Sequence, residues 1–251
     1  MDMPTDLELI KELEKEIGIE LTEEEKIDYA RINEGVYQRG HDGNVIRLAL
    51  EFLKLKKFPS TILKFKDLDF LSLLGNQLNS VPPEISQLMS LMELSLGYNQ
   101  LGGLPPEITQ LTNLSALSLK SNQLCGLPSG MSQLTNLKTL DMSVNQLSEL
   151  PSEITQLTSL TALYLDGNLL KQPPPEIVNQ GILAVLEYYS QFANMMVNEA
   201  KLILVGQGDV GKTCLTKRLM DDEFIEVPTT EGIDILCWDI KAPTQEHEKL
   251  S

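Results

Sequence analysis

Residues 91–101 read LMELSLGYNQL, and the same phrase returns 23 residues away on either side. It is LDFLSLLGNQL at 68–78, LSALSLKSNQL at 114–124, LKTLDMSVNQL at 137–147 and LTALYLDGNLL at 160–170. The shared frame is L-x-x-L-x-L-x-x-N-x-L, closed in turn by Asn76, Asn99, Asn122, Asn145 and Asn168. A fixed period of this size predicts a solenoid, in which each coil packs only on its neighbours. The L-x-L core of each phrase predicts a short strand with its leucines turned inward, and successive strands stack as a parallel sheet on the inner face. The asparagine falls where the chain turns after the strand. Its amide both donates and accepts, so it can satisfy backbone groups that a tight turn leaves unpaired.

The phrase resembles the leucine-rich repeat. The fold class it implies is α/β, a solenoid with a parallel β-sheet on the concave face. The second half of each period supports this. It runs L/V-P-x-x-I/M-x-x-L at Val81-Pro82, Leu104-Pro105, Leu127-Pro128 and Leu150-Pro151. Proline fixes its own φ and holds its predecessor extended, which suits a wide outer face of short helical turns. Stepping the phrase back by 23 places Val45, Leu48 and Leu50 on the leucine positions and Phe58-Pro59 on the outer turn, with Leu53 where the asparagine belongs. Six repeats of 23 residues are therefore expected, over residues 45–180, the first of them degenerate.

Residues 1–44 are expected to form a helical and hairpin cap over the open end. Thr5-Asp6 can cap a helix through Leu7, Ile10, Leu13 and Ile17 that Gly18 ends. Thr22 with Glu25 has a capping-box pattern and predicts a second helix through Ile27, Ala30 and Arg31. Asp42-Gly43 marks a turn between two strand-like runs. At the other end the sixth repeat breaks at Gln172-Pro173-Pro174-Pro175. Ile182, Leu183, Leu186, Tyr189 and Ala193 then recur at helical spacing, so residues 181–199 are expected to be a linker and capping helix. The side chains expected to face a partner from the sheet are Phe70, Ser72, Leu74, Glu93, Ser95, Gly97, Ala116, Ser118, Lys120, Thr139, Asp141, Ser143, Ala162, Tyr164 and Asp166, with Tyr98 beside them.

A second motif follows the coils. KLILV at 201–205 is a short apolar run of the kind a buried strand has. GQGDVGKT at 206–213 matches G-x-x-x-x-G-K-[ST], and CLTKRLM at 214–220 has helical character. Strand, glycine loop and helix in that order form the context a phosphate-binding loop requires. Gly206, Gly208 and Gly211 let backbone N–H groups approach phosphate, and the helix N-terminus adds its positive end. Lys212 would reach the β- and γ-phosphates, and the Thr213 hydroxyl would bind Mg²⁺. The whole nucleotide-binding set is Gly206, Gln207, Gly208, Asp209, Val210, Gly211, Lys212, Thr213, Cys214 and Thr230.

Thr230 enters through FIEVPTTEGIDI at 224–235, which resembles the first switch loop of Ras-like GTPases. By that resemblance Thr230 binds Mg²⁺ beside Thr213 and senses the γ-phosphate, with Thr229 the less favoured choice. Leucine-rich repeats, a linker helix and a Ras-like loop with TTEGIDI together resemble the Roco family, whose Roc (Ras of complex) GTPase domain precedes a dimerising COR domain. The resemblance implies GTP or GDP with Mg²⁺ as cofactors and residues 200–251 as an incomplete, truncated start of a P-loop GTPase domain. It also implies a homodimer formed only through a downstream domain. Neither D-x-x-G after the switch strand nor an N/T-K/H-x-D guanine-reading motif occurs. No catalytic residue is therefore assigned, turnover of GTP by this chain is not expected, and residues from about 200 onward are expected to be poorly ordered alone. Two other readings stay open: a leucine-rich-repeat binding module with a vestigial loop, and a STAND-type ATPase.

Composition limits the partners. The net charge is −16 and the pI about 4.5. Phosphate backbones and anionic membranes repel such a chain, so no nucleic acid and no membrane is expected as partner. A protein partner on the concave face is expected instead. Three scattered cysteines, Cys125, Cys214 and Cys237, and two isolated histidines make neither a disulfide framework nor a zinc site. They fit a reducing, cytoplasmic setting.

Overall fold

The computed structural model describes residues 4–27 and 35–194. It opens with helix α1 (Asp6–Ile17). The Thr5 hydroxyl accepts the Glu8 N–H, and the Glu8 carboxylate accepts the Thr5 N–H at 2.8 Å, a reciprocal capping box. Leu9, Ile10 and Leu13 are buried against the first coil, and Gly18 in left-handed geometry ends the helix.

The helix start expected at Thr22 is not helical. Thr22–Glu23 is strand β1, paired in parallel with β2 (Val36–Arg39). Thr22 N–H donates to Gly35 C=O and Glu24 N–H to Tyr37 C=O, so the sheet takes the donors that a helical turn would use. The Glu23 carboxylate is held by Arg39 at 2.8 Å. Tertiary pairing here outweighs a local capping signal. Ala30 and Arg31 lie outside the described residues. The hairpin is present: β2 runs antiparallel to β3 (Val45–Ala49) around Asp42-Gly43.

From β3 onward every strand pairs in parallel with the next at the repeat spacing. The strands are β4 (Phe70–Ser72), β5 (Glu93–Ser95), β6 (Ala116–Ser118), β7 (Thr139–Asp141) and β8 (Ala162–Tyr164). The register Arg47↔Phe70↔Glu93↔Ala116↔Thr139↔Ala162 does not slip. The degenerate first repeat is thus a structural one. The result is a single sheet of eight strands in sequence order.

Leu71, Leu94, Leu117 and Leu140 project from the middle of successive strands into a continuous buried core. Burying one leucine fully is worth about 1.5–3 kcal/mol, so the stack is held chiefly by this repeated apolar layer. On the outer side short 3-10 helices such as Pro83–Gln87 and Pro106–Gln110 begin just after Pro82 and Pro105. Each turns one isoleucine, Ile85 or Ile108, into the core.

The asparagine ladder closes each turn. The Asn99 side-chain oxygen accepts from Leu78 N–H of the preceding coil at 3.0 Å. Its amide donates to Leu96 C=O of its own coil at 3.0 Å and to Leu73 C=O of the preceding one at 2.9 Å. Asn76, Asn122, Asn145 and Asn168 repeat this three-way bridge. In the first coil, where Leu53 stands in the ladder, its own N–H donates to Asn76 instead.

The residue before each ladder position is left-handed in every coil: Phe52, Gly75, Tyr98, Ser121, Val144 and Gly167. Nothing in the repeat phrase announces this, since only two of the six are glycine. Gly75 is required twice over, because a Cβ there would lie 2.2 Å from the Phe52 ring. Val144 is the opposite case, a β-branched residue at φ 56°. A left-handed L-residue costs about 1–2 kcal/mol, and Val144 is exposed and loses little packing on truncation. Val144→Gly is therefore expected to stabilise by about 1 kcal/mol. Unchanged or lower stability in urea unfolding would contradict this.

Beyond β8 the chain forms the short helix α2 (Pro175–Val178) and then α3 (Ile182–Asn194). Val185 and Tyr189 of α3 join the leucine core, and the Tyr189 hydroxyl donates to Gln172 C=O at 2.9 Å. Leu183, one of the residues defining the helical spacing, is instead 78% exposed. The buried stripe of α3 runs through Val185 and Tyr189 and leaves Leu183 on the other side.

Candidate functional site

The concave sheet face is not uniformly open. Phe70 and Ser72, both expected to face a partner, are buried. Phe70 packs with Ile27, Val36 and Ala49, and the Arg47 guanidinium lies 4.3 Å from its ring centroid. Val36 lies in the added strand β2, level with Ala49 of β3, and Ile27 packs beside it, so this end of the face carries an apolar cluster around Phe70. Gly97 and Ser143 are buried as well.

Beside buried Ser72 lies a carboxylate that no motif singles out. Glu51 is only 5% exposed. The Ser72 hydroxyl donates to one of its oxygens, and the other has no partner among the described residues. Burial raises its pKa, with the Ser72 bond only partly opposing the shift. A carboxyl that holds its proton more tightly folded than unfolded adds stability at low pH. That contribution is lost as pH rises through the folded-state pKa. Glu51→Gln is accordingly expected to raise the melting midpoint at pH 7, with the gain shrinking toward pH 4. A gain independent of pH would show that the charge is not the cause.

The accessible remainder spans β5 to β8. A shallow trough of about 260 Å³ has a floor of Ser95, Ala116, Ser118 and Thr139, with Phe70 and Tyr164 at its ends and Glu93 and Asp141 on its sides. Asp141 is already engaged, accepting from the Ser143 N–H at 2.9 Å and hydroxyl at 2.6 Å. Tyr164 and Tyr98 are each half exposed. A floor of small side chains with aromatic groups at its margins lets an extended chain approach the sheet and offers large, rigid side chains to cover it.

The nucleotide set Gly206, Gln207, Gly208, Asp209, Val210, Gly211, Lys212, Thr213, Cys214 and Thr230 lies outside the described residues, as does all of 200–251. Among the described residues no group of histidine, cysteine and acidic side chains could hold a metal ion. Cys125 is free and exposed. No helix among them is long and apolar enough to cross a membrane.

Comparison with known proteins addresses both halves of the chain. A family model described as leucine-rich repeat matches residues 112–170, and a second matches 90–111. The model for the Ras of Complex, Roc, domain of DAPkinase matches residues 201–251. No curated protein matched. Among solved structures, a leucine-rich-repeat protein of Leptospira interrogans is 43% identical over 49% of this chain and 32% of its own, with a TM-score of 0.47. The Arabidopsis receptor kinase HAESA, solved with the peptide hormone IDA and the co-receptor SERK1, is 29% identical over 54% of this chain and 24% of its own, with a TM-score of 0.51. The repeat ectodomain of the receptor kinase SOBIR1 from Arabidopsis thaliana is 28% identical over 69% of this chain and 98% of its own, with a TM-score of 0.53. The chain thus spans a third or less of the first two. Leucine-rich repeats followed in one chain by a Ras-of-complex segment are the make-up of a Roco-type protein, and this chain has that make-up.

Proposed function

We propose that this chain is the N-terminal part of a Roco-type GTPase-like protein. It binds GTP or GDP through the loop at 206–213 and offers the concave repeat face to a protein partner. The observation that carries the nucleotide reading is a coincidence of position: the Ras-of-complex match at 201–251 contains the G-x-x-x-x-G-K-T phrase. In this reading the backbone of Gly206 to Gly211 cradles phosphate and Lys212 neutralises it. Thr213 and Thr230 are the two side chains suited to hold Mg²⁺, which would offset phosphate charge. Hydrolysis belongs to a complete GTPase domain, since neither D-x-x-G nor a guanine-reading motif occurs in these residues. The partner reading draws on the HAESA complex with a peptide hormone and on the open trough at β5 to β8. A cytoplasmic setting is proposed because the three cysteines are few, scattered and odd in number.

Titration with a fluorescent N-methylanthraniloyl-GDP in Mg²⁺, followed by displacement with GTP or ATP, tests the nucleotide half. Displacement by GTP but not ATP is the expected result. Displacement by ATP alone would favour a STAND-type ATPase, and no binding would favour a vestigial loop.

A further inference from the structure

The repeats supply their own control for which positions the fold needs. In the coils after the first, the residue between the ladder asparagine and the next leucine is Gln77, Gln100, Gln123 and Gln146, with Leu169 in the last. The first coil has Lys54 there. The next two outer positions are Asn79-Ser80, Gly102-Gly103, Cys125-Gly126 and Ser148-Glu149 in the second to fifth coils, but Lys56-Lys57 in the first. Three positions that four other coils fill without a single positive charge are all lysine in one coil. The solenoid does not require these lysines, and like charges this close repel one another.

Geometry makes the cluster a surface rather than a scatter of charges. Lys54, Lys56 and Lys57 are exposed and surround a hollow of about 410 Å³ with an apolar floor from Ile17, Leu53 and Phe58. The one acidic residue lining it, Glu16, is occupied: its carboxylate accepts from the Ser60 N–H at 2.7 Å, the Ser60 hydroxyl at 3.1 Å and the Thr61 N–H at 3.0 Å. Among the described residues no carboxylate pairs with any of the three lysines, whereas nearby Lys64 is paired with Glu12. The chain carries a charge of −16, yet residues 54–66 contain five lysines and no acidic residue.

We infer that this hollow on the rim of the first coil is a docking site for an acidic protein segment bearing one apolar or aromatic anchor residue. The anchor enters between Phe58, Leu53 and Ile17 while its flanking carboxylates meet the three ammonium groups. The site is separate from the concave trough, with which it shares no lining residue. Charge complementarity selects the acidic peptide. An anionic bilayer would meet the same lysines, but the rest of this chain would be repelled by it.

A fluorescein-labelled peptide of sequence DEDFEE, titrated with the full chain by fluorescence anisotropy, tests the site. The comparison is a triple variant that installs the second coil's residues, Lys54→Gln, Lys56→Asn and Lys57→Ser. Those side chains stand at the same repeat positions one coil away, and glutamine is strained no more than lysine at the left-handed φ of Lys54, so the variant is expected to keep the parent circular dichroism spectrum and melting midpoint. Peptide binding is expected to weaken at least about tenfold in the variant, and by a similar factor in the parent between about 0.05 and 0.3 M NaCl. A peptide with alanine for phenylalanine should bind more weakly than the parent peptide. Equal binding by parent and variant would overturn the proposal. So would absence of binding, indifference to the phenylalanine, or binding to phosphatidylserine vesicles without binding to the peptide.

Discussion

Asn122→Ala is expected to destabilise the repeats by about 3 kcal/mol, more than a typical surface change by a wide margin. The side chain links two coils through three bonds, accepting from Leu101 N–H and donating to Leu119 and Leu96 C=O. Alanine leaves a buried donor and shared carbonyls short of partners, at a place where the leucines admit no water. Each group left unsatisfied costs about 1–3 kcal/mol. Asn122→Asp is expected to do no better, although its shape is nearly the same. Its first oxygen can still accept from Leu101, but its second turns negative charge toward two carbonyls. Asn168→Ala should cost less, because Asn168 is only partly buried and its ladder ends there. Urea unfolding followed by circular dichroism measures all three. Equal losses for Asn122→Ala and Asn168→Ala would mean that burial of the bridge is not what matters, and a loss under about 0.5 kcal/mol at Asn122 would remove the bridge from any role in stability.

Lys212→Ala is expected to weaken nucleotide binding by about tenfold to a hundredfold. A charge-assisted hydrogen bond contributes about 1.5–3 kcal/mol, and each 1.4 kcal/mol is a factor of ten. The loss should be larger for the triphosphate than for the diphosphate if Lys212 has its proposed role at the β- and γ-phosphates. Thr213→Ala should instead act through the metal. Its binding is expected to be weaker in Mg²⁺ and unchanged in EDTA, where the parent already lacks the ion. Fluorescent-nucleotide titrations with and without Mg²⁺ separate the two. If Lys212→Ala binds as tightly as the parent, the loop does not hold phosphate and the repeats are the working part of the chain.

The solenoid was legible because its physics repeats with the sequence. Leu71, Leu94, Leu117 and Leu140 recur every 23 residues, so their inward direction and parallel register can be counted off the chain. The asparagine bridges follow for the same reason, since an amide with both donor and acceptor at a tight turn has few other uses. Even the degenerate first coil was recoverable, because Val45, Leu48 and Leu50 hold the phase although Leu53 has lost the asparagine.

The cap was misread where a local signal had a distant competitor. Thr22 and Glu25 are spaced for a helix start, yet Gly35 and Tyr37 supply carbonyls that only the folded chain brings alongside. That pairing in turn set which part of the concave face stays open. Strand alternation alone places Phe70 and Ser72 on that face, and it cannot say that Ile27 and Val36 pack against Phe70 or that Ser72 is buried. The burial of the Glu51 carboxylate against Ser72 likewise has no mark in residue type. The left-handed column at Phe52, Tyr98, Ser121 and Val144 had no signal in residue type at all, because the turn imposes its geometry on whatever side chain stands there.

Sequence by itself determined the repeat, its register, its ladder and the phosphate-loop phrase that follows, because each is written at a fixed local spacing. Tertiary structure decided which surfaces remain available. Burial depends on what packs above a residue, and the covering elements arrive from elsewhere in the chain. It left open a trough at β5 to β8 and a lysine-rimmed hollow at Lys54, and it closed the face at Phe70.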